Sequence, residues 1–244
     1  MKDRDSSDQL YAGHMPEAGS FRFGDDVARV FPDMIRRSVP GYAATLELTE
    51  RLAAHFCVDG THCYDLGCSL GATLLACARG VAGRDVTLVG VDPSAAMLDR
   101  CRERLREQGI ETTLHCADAR DLSFAPASLV VLNWTLQFIP PADRDALLGR
   151  IVTALVPGGA VLVSEKIVDP DPEVQALLEA LHLDFKRAQG YSELEIAAKR
   201  TALERVLIPE TLEAHRDRLT RAGCRTTLCL QRQLNFASIL GIRS

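Results

Sequence analysis

Basic charge is scarce in this sequence, and long apolar stretches are missing. Lysine and arginine together number 28 against 33 aspartate and glutamate residues, so the formal net charge is −5. Because phosphate contacts dominate nucleic-acid affinity, tight DNA or RNA binders usually carry a basic face, and direct nucleic-acid binding is not expected. No run of about 18 apolar residues exists, so no membrane-spanning helix is predicted. The charged opening Met1–Asp5 is unlike a secretory signal.

Metal-ligand spacing is also missing. None of the 8 cysteines forms a CxxC pair, and the 6 histidines are scattered along the chain. Zinc sites usually bring such ligands in closely spaced pairs, so no metal site is predicted. Most cysteines stand in apolar, strand-like or helix-like stretches, and we therefore expect buried, reduced thiols in a cytoplasmic protein.

What the 244-residue chain does have is a regular alternation of strand-like and helix-like segments. This alternation is typical of a parallel β-sheet covered by helices. It predicts an α/β, doubly wound, mostly parallel sheet in a single domain over residues 21–244, with residues 1–20 as a disordered lead-in. Strands are expected at 61–66, 86–91, 112–116, 128–132 and 160–164, and helices at 24–38, 43–56, 72–79, 94–108 and 143–155.

The alternation stops from about residue 170 to 207. Two helical stretches, 173–187 and 192–206, indicate an insertion or lid after the fifth strand. A further helix is predicted at 211–222, and the segments 226–230 and 234–240 are expected to form a closing antiparallel pair.

A glycine-rich turn, Asp65–Gly71, lies between the first strand of the alternation and the following helix. Glycine lets the backbone turn sharply and approach a ligand, and the helix that follows offers free N–H groups. Such a turn serves NAD, FAD or S-adenosylmethionine (SAM), or it is merely a tight turn. By itself it is weak evidence for any one of them.

Polar residues at the ends of the next three strands narrow the choice of cofactor. Asp92 is placed to accept hydrogen bonds from two ribose hydroxyls, and Asp118 to accept from an adenine amino group. Each could instead be an ordinary capping residue. Asn133 ends the fourth strand at the carboxyl edge, where ligands of these folds bind. The order glycine, Asp, Asp, Asn is typical of SAM-binding folds, and the glycine spacing departs from the G-x-G-x-x-G of NAD enzymes.

Several segments outside the glycine turn resemble one family, the carboxy-S-adenosylmethionine (carboxy-SAM) synthases. The match runs from about residue 21 to 240, and its outer motifs are more specific than the turn. The matching segments are VFPDMI at 30–35, RSVPGY at 37–42, YDLGCSLG at 64–71, NWTLQF at 133–138, SEK at 164–166 and DFKRAQGYSELEI at 184–196.

The resemblance implies a seven-stranded, Rossmann-like SAM-binding sheet and a homodimer. It also implies a reaction in which SAM and prephenate give carboxy-SAM and phenylpyruvate. Prephenate would lose carbon dioxide as its ring becomes aromatic, and a sulfonium ylide formed from the SAM methyl group would capture it. Carboxy-SAM would then pass to a partner transferase that modifies the wobble uridine of tRNA.

Residue roles follow from the same resemblance, position by position. It places the methionine part of SAM against Gly67, Cys68 and Ser69, and the ribose on Asp92. The adenine would lie between Asp118 and Ala119, and the sulfonium near Asn133. The new carboxylate would bind Tyr42 and Arg200. A guanidinium fork suits a carboxylate, although Arg200 taken alone would be interpreted as a solvated helix arginine. Pro93 departs from the asparagine that many members carry after the ribose acid, and proline has no N–H to donate.

Three alternatives share some of these features. An ordinary SAM-dependent methyltransferase would share every cofactor residue and would lack the Tyr42–Arg200 pair. A non-catalytic SAM-binding module and an NAD oxidoreductase are less consistent with the motifs. The sequence leaves open which cations bind prephenate; the candidates are Arg36, Arg37, Lys166, Lys186 and Lys199.

Overall fold

A computed structural model of the chain describes residues 7–13 and 15–244. Its centre is a sheet with the strand order β3-β2-β1-β4-β5-β8-β7, in which β6 also pairs with β5. Strands β3, β2, β1, β4 and β5 run parallel, whereas β8 is antiparallel to both β5 and β7. The strands are β1 (Thr61–Leu66), β2 (Val86–Asp92), β3 (Thr113–Cys116), β4 (Ala127–Asn133), β5 (Leu155–Val168), β6 (Glu210–Thr211), β7 (Cys224–Gln233) and β8 (Phe236–Arg243).

Helices cover both faces of this sheet. Ser94 caps the helix that follows β2, because its hydroxyl accepts a hydrogen bond from the backbone N–H of Met97 at 3.2 Å. Among the described helices, none is long and apolar enough to cross a membrane. The helices are α1 (Asp25–Ser38), α2 (Tyr42–Phe56), α3 (Ala72–Gly80), α4 (Ala95–Glu107), α5 (Pro141–Ala154), α6 (Pro172–Ala188), α7 (Glu193–Ala202) and α8 (Leu212–Arg221), and a short 3-10 helix spans Leu136–Phe138.

The central strand β4 is buried along its whole length. Its side chains alternate between the two faces: Val130 and Leu132 belong to one apolar cluster, and Leu129 and Val131 belong to the other. A strand that is covered on both faces is a continuous apolar run, which is why the sequence here shows no polar alternation.

A third apolar cluster lies at the carboxyl edge of the sheet. Phe21, Val30 and Met34 pack there against Met97 of α4. The ring of Phe23 extends the cluster, with its centroid 5.3 Å from that of Phe138. Helix α1 therefore covers the edge at which the parallel strands end.

The predicted fold class and seven-stranded sheet are confirmed. The differences are local. Strand β5 begins at Leu155 rather than at residue 160. Ala127 of β4 pairs with Leu155 and Leu129 pairs with Ala160, so the residues predicted as a glycine turn form an irregularity inside the strand. The predicted helix at 211–222 begins one residue later, since Glu210–Thr211 forms the short strand β6.

The stretch predicted as a lead-in contains one deeply buried acid. Residues 1–6 and His14 lie outside the described residues. Within the described part, Asp8 is only 1% exposed, and its carboxylate accepts hydrogen bonds from Lys199 and Tyr191. Asp8, within the predicted lead-in, is therefore held against the 170–207 region, because a buried carboxylate needs partners and finds them there.

Candidate active site

A cavity of about 290 Å³ opens at the carboxyl edge, beneath α1. It lies where β1 and β4 are neighbours and the chain order of the strands reverses. In open parallel sheets this switch point is where ligands bind. Seven of the predicted site residues form part of its wall: Gly67, Ser69, Asp92, Pro93, Asp118, Ala119 and Asn133.

The glycine turn is held tightly at the floor of the cavity. The backbone N–H groups of Gly67 and Cys68 both donate to the Val91 carbonyl, at 2.7 and 3.0 Å. Gly67 has a φ of 76°, and a Cβ atom there would lie 2.3 Å from the Thr135 hydroxyl oxygen. Only glycine therefore fits at this position.

Asp92 links the glycine turn to the start of α4. One carboxylate oxygen accepts from the Ser69 backbone N–H and the other from the Ser94 backbone N–H, each at 2.9 Å. Burial raises the pKa of Asp92, and these two hydrogen bonds oppose the rise. Each carboxylate oxygen has a second lone pair, so the group can still accept from ribose hydroxyls.

The adjacent part of the wall is largely apolar. Pro93, Ala117 and Ala119 line it, which suits the faces of a purine ring. Asp118 lies at its rim, where hydrogen bonds from Arg120 at 2.8 and 3.0 Å engage both carboxylate oxygens. Hydrogen bonding to Arg120 is the main cause that lowers the pKa of Asp118, so this carboxyl is an acceptor.

Two buried oxygens behind the turn have no hydrogen-bond partner within the described part of the chain. They are Oδ2 of Asp65 and Oδ1 of Asn133. The Asn133 amide nitrogen donates to Thr73 at 3.1 Å, which leaves its oxygen as an acceptor, and burial raises the pKa of Asp65 well above the ordinary value. Buried acceptors of this kind require a donor. Asn133 lies in the cavity wall, where the α-ammonium group of SAM would be such a donor, so the residues present fit SAM. The sequence motif contained Asp65, but its position alone assigned it no contact.

Three predicted residues lie outside the cavity wall. Tyr42 begins α2, and its ring centroid is 5.2 Å from that of Trp134, which is in the wall; burial raises the pKa of Tyr42 to about 12. Cys68 is buried in the apolar cluster beneath the turn. Arg200 is exposed near the end of α7. In the structure, Tyr42 is thus separated from the cavity by the Trp134 ring, and Arg200 lies at the surface.

The opposite end of the cavity is cationic. Its wall contains Lys166, Lys186, Lys199 and His182. Burial, and then the neighbouring Lys166, lower the pKa of Lys186 to about 7, and burial lowers that of His182 to about 3. His182 is therefore neutral near pH 7. Neither Lys166 nor Lys186 has an ion-pair partner within 4.0 Å in the described residues.

The other two cations that the sequence left open point elsewhere. Arg36 has a 68% exposed side chain and pairs with Asp33 at 2.6 Å. Arg37 also pairs with Asp33, at 3.1 Å, and donates to the Gln189 carbonyl at 2.8 Å. Neither belongs to the cavity wall. Of the five candidates, the three lysines line the cavity and the two arginines do not.

Glu165 is a residue of the site region that the sequence left without a role. It is fully buried, and its carboxylate accepts from the backbone N–H groups of Leu136 and Gln137, at 2.8 and 3.1 Å. These bonds fix the 3-10 helix that carries Gln137 and Phe138 into the cavity wall. Burial raises the pKa of Glu165 to about 8. The SEK segment was the only sequence signal for it.

Comparison with known proteins agrees with this geometry. Residues 64–159 match the model of a methyltransferase domain family. A solved O-methyltransferase family protein from Burkholderia thailandensis superposes with a TM-score of 0.67 at 15% identity, over 90% of this chain and 59% of that one, which supports the fold. The chain thus spans less than two thirds of that structure.

Two relatives are similar over almost their full length. A carboxy-S-adenosyl-L-methionine synthase from Marinobacter nauticus is 50% identical over 241 residues, 98% of this chain and 96% of its own. One from Shewanella oneidensis is 49% identical over 240 residues, 98% of this chain and 99% of its own. These matches confirm the resemblance found in the motifs. The chain belongs to the carboxy-S-adenosyl-L-methionine synthase family, a group of SAM-dependent enzymes with the methyltransferase fold.

Proposed function

We propose that this protein converts SAM and prephenate into carboxy-SAM, phenylpyruvate and water. The observation that carries the proposal is the division of one cavity into two ends. One end has the glycine turn and Asp92, which suit a nucleoside. The other end has Lys166 and Lys186, two amines without ion-pair partners in the described residues, which suit a second substrate with two negative charges.

The reaction balances with no further reagent. The bond between prephenate's ring and its carboxylate breaks, its electron pair makes the ring aromatic, and the ring hydroxyl leaves. The SAM methyl group gives up a proton, which the leaving hydroxide takes up as water. The resulting sulfonium ylide forms a carbon–carbon bond to the released carbon dioxide. An ordinary methyl transfer to an uncharged acceptor would have no use for the cationic end.

The chain's own residues supply position and charge in this scheme. Asp92 holds the ribose, and Asp65 with Asn133 accepts from the SAM ammonium. Lys166 and Lys186 bind the two carboxylates of prephenate, and the aromatic wall from Phe21 and Phe138 contacts its ring.

Tyr42 and Arg200 are proposed to hold the carboxylate of the product. Arg200 follows Lys199 of the cavity wall directly on helix α7, and its charge contributes to lowering the pKa of both Lys166 and Lys186. A change of side-chain rotamer would have to bring the exposed guanidinium inward when carboxy-SAM is present. Exposed arginine side chains make such changes readily.

A homodimer is proposed on the basis of helix α6. Val174, Leu177 and Leu181 form an apolar stripe on it and are 39%, 59% and 41% exposed, whereas the same helix directs His182 and Lys186 into the cavity. A second copy of the chain would cover the stripe. Leu177→Asp is expected to convert a dimer to a monomer in light scattering, whereas Leu228→Asp on β7, also exposed, serves as the matched control. An unchanged molar mass for Leu177→Asp would place the interface elsewhere.

The cellular role is proposed as supply of the carboxymethyl donor for tRNA wobble uridine modification by a partner transferase. The acidic net charge of −5 supports a role in which this chain does not itself bind tRNA. All 8 cysteines are free, which supports residence in the reducing cytoplasm.

The direct test is mass spectrometry of the products that the purified protein makes from SAM. With prephenate present, we expect a SAM derivative that is heavier by one carbon dioxide unit, together with phenylpyruvate. Without prephenate, no such derivative should form. Formation of S-adenosylhomocysteine as the only nucleoside product would instead identify an ordinary methyltransferase and reject the proposal.

A further inference from the structure

The described segment 7–13 is tied to the cationic end of the cavity by a single buried acid, Asp8. Its backbone N–H donates to the Asp33 carboxylate at 3.0 Å, and its backbone carbonyl accepts from Arg37 at 3.3 Å. Its carboxylate pairs with the Lys199 ammonium and accepts from the Tyr191 hydroxyl. Asp8 therefore contacts α1, α7 and Tyr191, which lies just before the N-cap of α7.

The surroundings of Asp8 form a compact stack of charges around one aromatic ring. The Arg37 guanidinium carbon lies 3.9 Å from the centroid of the Tyr191 ring, and the Lys199 amine lies 4.0 Å from it. Asp8 and Lys199 are 1% and 4% exposed. A buried ion pair of this kind is costly to break, because loss of one partner leaves the other as an uncompensated charge.

A second attachment holds the lead-in against α7. The backbone N–H of Gly19 donates to the Thr201 carbonyl, and that of Phe21 donates to the Ala202 carbonyl, both at 3.1 Å. Phe21 then enters the cavity wall, as does Lys199 from the same helix. The lead-in thus contacts the cavity region at two places, and Asp8 supplies the charged one.

We propose that Asp8 is a positioning residue that latches the N-terminal segment over the cationic end of the cavity, fixing Lys199 and retaining carbon dioxide between its release and its capture. The inference rests on the proposed function. Carbon dioxide is small and uncharged, so no lysine can hold it by charge. Its transfer between two substrates requires a closed cavity, and the Asp8–Lys199 pair is the charged contact between the N-terminal segment and the wall of this end.

The test compares Asp8→Asn with the native full-length protein and with Asp99→Asn. Asp99 is an exposed acid on α4 whose one ion-pair partner among the described residues is Arg102 of its own helix, so it controls for the loss of one negative charge. Phenylpyruvate and carboxy-SAM are quantified in the same reaction. The native protein and Asp99→Asn should give equal amounts of the two. In Asp8→Asn the ratio of carboxy-SAM to phenylpyruvate should fall about tenfold, since a buried charge-assisted contact is lost.

A double variant separates latching from simple misfolding. Asp8→Asn combined with Lys199→Met leaves no unpaired buried charge at this place, so it should fold even where the single variant does not. If Asp8 acts through Lys199, the ratio of carboxy-SAM to phenylpyruvate should fall in the double variant to about the same extent as in Asp8→Asn alone.

Each outcome decides the inference. Equal amounts of the two products in a folded Asp8→Asn or double variant would overturn the latch while leaving the proposed function intact. A native protein that releases no phenylpyruvate from prephenate would overturn both. A lower rate with an unchanged product ratio would identify Asp8 as a merely structural residue and would also reject the latch.

Discussion

Replacing Lys186 by methionine should remove the pH dependence of prephenate binding. The cause lies in the position of Lys186 at the cationic end of the cavity. Burial and the neighbouring Lys166 lower the pKa of Lys186 to about 7, so its ammonium form prevails below pH 7 and its neutral amine above. A dianion binds the ammonium form, and its apparent affinity should therefore fall as the pH rises through this value.

The magnitude follows from the pKa. A single site that binds ligand only when protonated, with a pKa near 7, loses about tenfold in apparent affinity between pH 6 and pH 8. Dissociation constants for prephenate from calorimetry, measured across this range, would report the effect. The constant for SAM, measured alongside, should change little, because Lys186 lies at the other end of the cavity.

Lys166→Met is the matched control for this experiment. It also removes one cation from the site, so weaker binding of prephenate is expected in both variants. Loss of Lys166 removes the second-largest cause that lowers the pKa of Lys186, so the inflection should move to higher pH rather than vanish. The reasoning is refuted if Lys186→Met keeps the native inflection near pH 7.

Two further changes probe the cofactor end and the product carboxylate. Gly67→Ala should abolish measurable SAM binding and lower the melting temperature. The new Cβ would lie 2.3 Å from the Thr135 hydroxyl oxygen, and a left-handed φ costs alanine about 1–2 kcal/mol. Native SAM affinity in calorimetry would contradict this. Arg200→Ala should weaken carboxy-SAM by at least tenfold and leave SAM nearly unchanged, since a charge-assisted contact contributes about 1.5–3 kcal/mol. Equal losses for both ligands would place Arg200 away from the carboxylate.

The parts of the fold that the sequence predicted best are those with strong local signals. Strand β4 is a continuous apolar run, and the glycine turn has a backbone requirement that only glycine meets. Strand β6 escaped prediction because it is two residues long and is defined by its pairing with Ile167 and Val168 of β5. No local pattern encodes a pairing between residues that are distant in the chain.

The cofactor end of the site was largely predictable, because parallel strands end at one edge and their terminal residues must meet there. The cationic end was not. Lys166 and Lys186 come from β5 and α6, and only the packing of α6 over the sheet distinguishes them from Arg36 and Arg37. Asp8 was missed for the same reason, since its partner Lys199 is far away along the sequence.

Isotope tracing tests the central claim most directly. Prephenate labelled only in its ring carboxylate is incubated with SAM and the native protein, and the nucleoside product is examined by mass spectrometry. The account predicts that the label appears in the carboxylate of carboxy-SAM and that phenylpyruvate carries none. Unlabelled carboxy-SAM, or S-adenosylhomocysteine in its place, would contradict it.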